Sequence, residues 1–329
     1  MNAPAIPLPD PRERMWIVAT LMIGTMSTLL SSTIVNVAFP ALVAEMHIGQ
    51  DVVQWVATGF LAATTTTMLG TAWALQRFGE RTTYIATLSL FLAGSLLGAF
   101  AWSADALIFA RVLQGAAAGV LQPLAMVVLF RVFPVAERGR AMGIYGFGIV
   151  LAPAIGPAIG GALITSFGWR WIFALSLPFC VAGIVLARKT LGSRISQAPT
   201  RFDTGGFALL VLALVAALNV PVIARREGWH SPLLLAASVA AIALSIGFVA
   251  WERRAREPML SLRLFRHGVF RSASLVALAY GAGLFGTTYL IPVFVQDVAH
   301  YSAAGAGSLM FLPGLALAVS IAIGGRLTD

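Results

Sequence analysis

The sequence predicts an all-α protein, a polytopic bundle of about ten transmembrane helices. Of its 329 residues, 59% are hydrophobic and only 11% are charged, with a mean hydropathy of +0.87. A soluble domain carries about 25% charged residues, because its surface must be hydrated. The surface of this protein is therefore predicted to be apolar, with lipid as its solvent.

Ten apolar segments are long enough to cross a bilayer. The hydrocarbon core is about 30 Å thick, so a spanning helix needs about 20 mostly apolar residues. Each span must be helical, because its backbone polar groups find no water partners in lipid. In chain order the predicted spans cover residues 15–38, 53–75, 83–103, 105–130, 141–165, 170–187, 205–223, 232–251, 270–296 and 303–324.

The positions of lysine and arginine predict the orientation of these spans. Placing the N-terminus in the cytoplasm puts 18 of the 22 basic residues on cytoplasmic segments. The outer segments then carry only Arg170, Arg225 and Arg226, and Arg111 alone lies inside a span. Cytoplasmic loops of membrane proteins are enriched in basic residues, so this split supports both the number of spans and the orientation. The cytoplasmic loops account for the net charge of +9. Nucleic-acid binding needs a basic groove with stacking aromatic residues, and the sequence shows no such pattern.

The reactive residue types exclude several kinds of chemistry. The single cysteine, Cys180, allows no disulfide within the chain, and the four histidines lie far apart in or beside loops. The acidic residues lie in loops or near helix ends, so no carboxylate pair is expected inside the bundle. We therefore predict no metal site, no cofactor and no enzymatic activity.

The chain divides into three blocks. Residues 1–187 hold six spans, residues 188–252 hold a basic linker and spans seven and eight, and residues 253–329 hold a basic loop and two more spans. The residues from Gly325 to Asp329 repeat the pattern that begins at Ala72. Spans nine and ten therefore look like a second copy of spans one and two, and transporters are often built from such repeats.

Short motifs connect the chain to a known family. The segment 72–81 is similar to the G-x-L-x-D-R-x-G-R-K motif of the major facilitator superfamily, and 111–115 reads R-V-L-Q-G, similar to its R-x-x-Q-G motif. The segment 156–161 reads G-P-A-I-G-G, which resembles the G-P-x-x-G-G motif of its antiporters. The segments 33–37 and 169–173 resemble the fourteen-span drug:proton antiporter branch.

The resemblance implies a fold, a function and partners. It implies a six-helix first lobe, an extra helix pair and the first two helices of an incomplete second lobe, so that the chain is truncated after its tenth span. The implied function is export of amphipathic drugs or other small organic compounds across the bacterial cytoplasmic (inner) membrane, by proton antiport with alternating access. The implied partners are the substrate, protons, membrane lipids, a periplasmic adaptor and an outer-membrane channel. A metabolite exporter, another facilitator-type carrier and a non-transporting truncated fragment are the alternatives.

Four polar residues are the candidates for transport and coupling. Arg111 lies inside span four, where a charge costs at least about 2.5 kcal/mol, so it is expected to face the bundle interior or to reach back to the outer interface. Gln114 lies at i+3 on the same helix face and is its expected partner. Ser31 stands where the antiporter branch has aspartate, and Asn36 is expected to bond to neighbouring helices.

Span five carries the candidate hinge motif. Small residues recur every four positions and let a neighbouring helix approach closely, while two prolines remove backbone hydrogen bonds. Either a hinge and seal between the lobes or ordinary close packing accounts for this pattern. The motif residues are Gly148, Pro153, Gly156, Pro157, Gly160 and Gly161.

The loop after span two is the candidate cytoplasmic gate. Three of its residues depart from the family pattern, Ala72 in place of glycine, Gln76 in place of aspartate and Glu80 in place of a basic residue, which puts a charge-based latch in doubt. The resemblance assigns the gate to Gln76, Arg77, Gly79 and Arg81.

Other polar and aromatic side chains have two possible environments. The hydroxyls of Thr64 to Thr67 either line a cavity or bond back to their own helix, and the second is favoured. Five aromatic residues of the predicted spans are expected either to hold flat apolar substrates or to face lipid. They are Tyr145, Phe147, Tyr280, Phe285 and Tyr289.

Overall fold

The computed structural model of the protein describes residues 9–192, 201–255, 257–302, 304–313, 316 and 320. Every regular element within these ranges is a helix, which confirms the predicted all-α fold. The helices are α1 Pro11–Val37, α2 Phe39–Met46, α3 Gln50–Ala99, α4 Ala104–Val132, α5 Arg138–Phe167, α6 Trp171–Ala174, α7 Ser176–Thr190, α8 Thr204–Glu227, α9 Pro232–Arg254, α10 Gly268–Asp297 and α11 Ala304–Pro313.

Eight segments of the described chain are long and apolar enough to cross a membrane. The 50 residues of α3 form two helical parts that meet at the non-helical Gly79; at 1.5 Å per residue the parts before and after it are about 44 Å and 30 Å long, each enough to cross a bilayer core. Predicted spans two and three both lie in α3, so these segments supply nine crossings. The start of span ten is α11, and the repeated motif at Gly325–Asp329 lies outside the described residues.

The connection between spans two and three differs from the expected loop. The backbone remains helical from Gln50 to Ala99 except at Gly79, which has φ 77° and ψ 169°. A positive φ favours glycine, because a Cβ at this position would clash with the backbone. The pattern of apolar residues indicates where the chain leaves the lipid. It does not indicate the backbone conformation between the two spans.

The first six spans pack around a shared core. The two halves of α3 pack on α4, and α1 packs on α5 and α7. Leu21, Tyr84, Leu88 and Phe91 are fully buried in one cluster of this core, and a second cluster near the outer ends contains Trp169 and other buried residues. The helices α8 and α9 pack mainly on each other, and α10 contacts α1 and α2. The predicted boundaries of the three blocks stay a prediction.

Candidate functional site

Arg111 lies in the interior of the bundle. Its side chain is fully buried, and its Nε donates a hydrogen bond of 3.0 Å to the carbonyl oxygen of Val56. One terminal nitrogen, Nη1, donates to Ser31 Oγ at 3.1 Å and to Gln114 Oε1 at 2.8 Å. The guanidinium carbon lies 4.1 Å from the centre of the Phe60 ring. The side chain is therefore held between α1, α3 and α4 and does not reach the outer interface.

The polar group around Arg111 extends to the second half of α3. Gln114 Nε2 donates to Ser95 Oγ at 2.8 Å, and both residues are fully buried. Among the described residues, Arg111 Nη2 has no hydrogen-bond partner, and the partners of the other guanidinium nitrogens are neutral. A buried cation is costly unless it is paired or hydrogen-bonded, so these neutral acceptors stabilise a charge that no carboxylate offsets within the described chain.

A glycine brings α4 close enough to α3 to form this network. A Cβ at Gly115 would lie 2.8 Å from the backbone carbon atoms of Phe60, which is closer than carbon atoms pack without repulsion. The residues Arg111 and Gln114 lie one turn or less before this contact on α4. Sequence reasoning identified Arg111, Gln114 and Ser31. It missed Ser95 and the Val56 carbonyl, because neither belongs to a recognisable motif.

Asn36 lies at a different contact, between the outer ends of α1 and α10. Its Nδ2 donates to the carbonyl oxygen of Thr288 at 3.4 Å, and its buried Oδ1 has no partner among the described atoms. The rings of Phe39 and Tyr289 lie 5.6 Å apart, and Gln54 Nε2 donates to Tyr289 Oη at 3.3 Å. These bonds join the first block to predicted span nine, and they do not include the Arg111 group.

The contacts of α10 with the first block are confined to its outer half. Gln296 Nε2 lies 3.5 Å from the carbonyl oxygen of Val37, close to the Asn36 contact. In the opposite half of α10, Val269 and Leu278 are 86% and 70% exposed. Within the described chain, α10 therefore contacts α1 through the half that contains Thr288 and Gln296, and residues of its other half are exposed.

The glycines of span five face α1. A Cβ at Gly156 would lie 2.7 Å from Thr33 Oγ1, and one at Gly160 would lie 3.1 Å from Ile34 Cδ1 and still closer to Ile34 Cγ1. Gly148 meets the side chain of Met22 on the same helix α1. These three glycines therefore provide close packing within the first block.

The rest of the hinge motif has separate surroundings. The helix α5 continues through Pro153 and Pro157 from Arg138 to Phe167. The backbone of Pro157 meets α11, where a Cβ at Gly307 would lie 2.8 Å from the Pro157 carbonyl carbon. Gly161 is buried, and its carbonyl oxygen accepts a hydrogen bond from Thr165. Within the described part of span ten, Gly307 therefore meets the backbone of span five at Pro157 and Ala158.

The candidate gate lies where α3 bends. Glu80 forms an ion pair with Arg131 at the end of α4, so one of the residues that depart from the family pattern joins spans two and three to span four. Gln76 and Arg77 are exposed, and Arg81 is half-buried. The sequence motif did not predict the Glu80–Arg131 pair, because it depends on where α4 ends.

The threonine prediction is confirmed. The hydroxyls of Thr64, Thr65, Thr66 and Thr67 each donate to a carbonyl oxygen of the preceding turn. The aromatic residues divide between core and surface, with Tyr145 buried and Phe147, Tyr280 and Phe285 exposed. Tyr289 alone of the five takes part in the contact between α1 and α10.

A bundle of apolar helices around a buried polar network with an intramembrane arginine is typical of multi-pass membrane transporters, since such groups are rare in spans and often mark transport pathways. The chain belongs to the Major Facilitator Superfamily, whose sequence profile matches residues 21–329. It is a multi-pass chain of the bacterial inner membrane, and the superfamily to which it belongs consists of transporters rather than enzymes.

Curated bacterial proteins resemble the chain over most of its length. The MFS-type transporter YcnB of Bacillus subtilis is 31% identical over 304 residues, which cover 92% of this chain and 64% of that protein. The multidrug export protein EmrB of Haemophilus influenzae is 33% identical over 290 residues, 87% of this chain and 57% of that protein. A multidrug resistance protein B homologue of Mycobacterium tuberculosis is 33% identical over 300 residues, which cover 90% of this chain and 55% of that protein. The chain thus spans less than two thirds of the length of these relatives.

Solved transporter structures share the fold. A peptide transporter, POT, in complex with sulfate matches 93% of this chain and 66% of its own, with a TM-score of 0.62 at 15% identity. The human organic anion transporter MFSD10 matches 97% of this chain and 73% of its own, with a TM-score of 0.62 at 16% identity. At this identity the similarity extends to the fold alone.

Proposed function

We propose that the protein containing this chain exports amphipathic drugs or other small organic compounds in exchange for protons. It works by alternating access and belongs to the fourteen-span drug:proton antiporter branch. In this proposal the chain supplies the first six-helix lobe, the extra helix pair and the first two helices of the second lobe. The multidrug names of relatives at 33% identity support the substrate class, and the G-P-A-I-G-G segment at 156–161 supports antiport.

The observation that carries the proposal is the one-sided contact between α1 and α10. Asn36 and Phe39 meet Thr288 and Tyr289 at the outer end, whereas the cytoplasmic half of α10 is exposed. An exporter must receive its substrate from the cytoplasm, and alternating access requires a state that is closed outside and open inside. The residue Asn36 then belongs to the outer gate. The gate on the cytoplasmic side includes Gln76, Arg77, Gly79 and Arg81, and it closes in the opposite state.

In this proposal Arg111, Gln114 and Ser31 form the coupling group. The positive charge of Arg111 favours the ionised form of any acid that approaches it, and neither Gln114 nor Ser31 titrates in the working range. The group that carries the proton then lies outside this network, either at a shallow carboxylate such as Asp105 or in helices of the second lobe. A periplasmic adaptor and an outer-membrane channel complete the proposed export route.

Dye efflux tests the proposal in cells that express the complete coding frame containing this chain. Efflux-deficient bacteria are loaded with ethidium, an amphipathic cation, and its release is followed by fluorescence. We expect release that stops when a protonophore removes the proton gradient. Release that continues at the same rate would contradict proton coupling, and no release of any amphipathic dye would contradict the substrate class.

Two leucine variants and the isolated chain sharpen this test. Gly156→Leu is expected to block release without reducing membrane insertion, because no space exists beside Thr33. Gly146→Leu is the matched control on the same helix, since a Cβ there meets no atom within 4 Å. Proteoliposomes that contain residues 1–329 alone are expected not to transport, because two helices do not enclose a cavity against the first lobe. Equal activity of the two variants would refute the role of the motif.

A further inference from the structure

An amphipathic cavity lies between the start of α3 and the end of α8. Its volume is about 440 Å³, and the charge-based orientation places it at the outer membrane surface. This outer cavity is separate from the Arg111 group and from the cytoplasmic gate. Its principal lining residues are Asp51, Gln54 and Trp55 of α3 and Val222, Arg225 and Arg226 of α8.

The charge of the outer cavity is unusual for its side of the membrane. Only three of the 22 basic residues lie on outer segments, and two of them, Arg225 and Arg226, line this one cavity. The third, Arg170, is paired with Glu45. Basic residues are depleted in the outer loops of membrane proteins. The preference of basic residues for the cytoplasmic side therefore does not explain two adjacent arginines at the outer surface.

The two arginines are not fully neutralised. Arg226 forms an ion pair with Asp51, whereas Arg225 is exposed and contacts no acidic side chain in the described part of the chain. The outer cavity thus holds two guanidinium groups against one carboxylate. A guanidinium presents paired donors that match the oxygens of a phosphate group.

The remaining walls of the outer cavity are apolar. Leu218, Pro221 and Val222 of α8 lie on one side, and the half-buried indole of Trp55 lies on the other. Tryptophan is enriched at the level of lipid headgroups, where its ring is apolar and its N–H is hydrated. A ligand that fits this arrangement has an anionic phosphate at the water side and hydrocarbon below it.

We propose that the outer cavity binds the headgroup of an anionic phospholipid from the outer leaflet. Arg225 binds the phosphate, Arg226 is shared between the phosphate and Asp51, and Trp55 packs on the start of the acyl chains. The bound lipid would bridge span two of the first block and the first helix of the extra pair. This inference is independent of the exported substrate and of proton coupling.

Photochemical labelling tests the proposal on the purified 329-residue chain. The chain is placed in phosphatidylcholine nanodiscs with a trace of photoactivatable phosphatidylglycerol, and labelled peptides are located by mass spectrometry. We expect labels on residues 51–58 and 218–226. Unlabelled phosphatidylglycerol is expected to compete, and inorganic phosphate is not.

Three variants separate phosphate recognition from general lipid contact. Arg225→Gln is expected to reduce labelling about five-fold, the effect of one basic contact near an anionic membrane surface. Asp51→Asn is expected to increase labelling, because it frees Arg226 for the phosphate, and unfolding does not produce such a gain. Arg170→Gln, on the same face, is the control and is expected to leave labelling unchanged. Thermal melting of each variant distinguishes a lost site from a lost fold.

Specific results would overturn the proposal. Equal labelling by a photoactivatable phosphatidylcholine would mean that the cavity is apolar space filled by any lipid. Competition by inorganic phosphate would assign the site to a free anion. A decrease in Asp51→Asn, or no change in a folded Arg225→Gln, would mean that the arginines do not bind the headgroup.

Discussion

Replacing Gly115 by alanine tests whether the buried network depends on the close approach of α3 and α4. The added Cβ would lie 2.8 Å from the backbone Cα and carbonyl carbon of Phe60. Carbon atoms pack at about 3.5 Å or more, so the helices must separate by about 0.7 Å. Backbone atoms cannot rotate away, and the carbonyl oxygen of Phe60 lies closer still to the added Cβ, so the overpacking cost is expected at the upper end of its usual range, about 3 kcal/mol. Alanine regains about 0.5–1 kcal/mol of helix propensity, which leaves a net loss of about 2 kcal/mol.

Gly59→Ala is the matched control at the same helix–helix contact. Its Cβ would meet only side-chain methyl groups, at 3.3 Å from Val112 and 3.8 Å from Ile108. Those side chains can adjust, so this variant is expected to stay within about 1 kcal/mol of the parent.

The assay is heat-induced loss of the monodisperse peak of the purified chain in size-exclusion chromatography. With an unfolding entropy of about 2.1 cal/mol/K per residue over 329 residues, a net loss of about 2 kcal/mol corresponds to a decrease of about 3 °C in the midpoint for Gly115→Ala. Separation of α3 and α4 would also pull the Arg111 guanidinium away from the Val56 carbonyl oxygen on α3, so transport by the complete protein should fall in the same variant. Equal midpoints for Gly115→Ala and Gly59→Ala would refute the packing argument.

Three further predictions concern charge and topology. Ser31→Asp places a carboxylate beside the Arg111 guanidinium, where the hydroxyl now lies 3.1 Å from Nη1. It is expected to steepen the pH dependence of pH-driven uptake into inverted vesicles of the complete protein; an unchanged profile would contradict the proposed coupling group. Glu80→Gln breaks the ion pair with Arg131, whose side chain is 54% exposed. Exposed ion pairs contribute less than about 1 kcal/mol to stability, so only a small decrease in the melting midpoint is expected. A reporter fused at Gly228 should report an outer location, and a cytoplasmic signal would reverse the topology.

Composition and spacing were sufficient to predict the class of the protein. Apolar segments of about 20 residues must form helices in lipid, whatever their neighbours are. Arginine counts on alternate loops predict an orientation without any tertiary information. The i+3 spacing of Arg111 and Gln114 likewise predicted their contact, because the two residues lie on one helix and its geometry is known in advance.

The sequence could not show which face of each helix meets which neighbour. In a soluble protein the buried face is apolar and the exposed face is polar, whereas in a membrane both faces are apolar. The glycine stripe of span five was visible, yet only the fold revealed that Gly156 and Gly160 face α1. The sharp break in the helix at the expected gate was hidden for a related reason, since one glycine at a positive φ was enough to redirect the chain between spans two and three.

Tertiary structure alone decided the contacts between distant parts of the chain. Ser95 reaches Gln114, Asn36 meets α10, and Glu80 pairs with Arg131, and none of these pairs has a spacing that predicts it. The outer cavity likewise exists only because α8 packs beside the start of α3. The sequence by itself determined that the chain crosses the membrane repeatedly and carries one arginine inside it. Folding determined the neutral groups that surround this arginine and the half of α10 that contacts α1, because both depend on helices brought together from far apart in the chain.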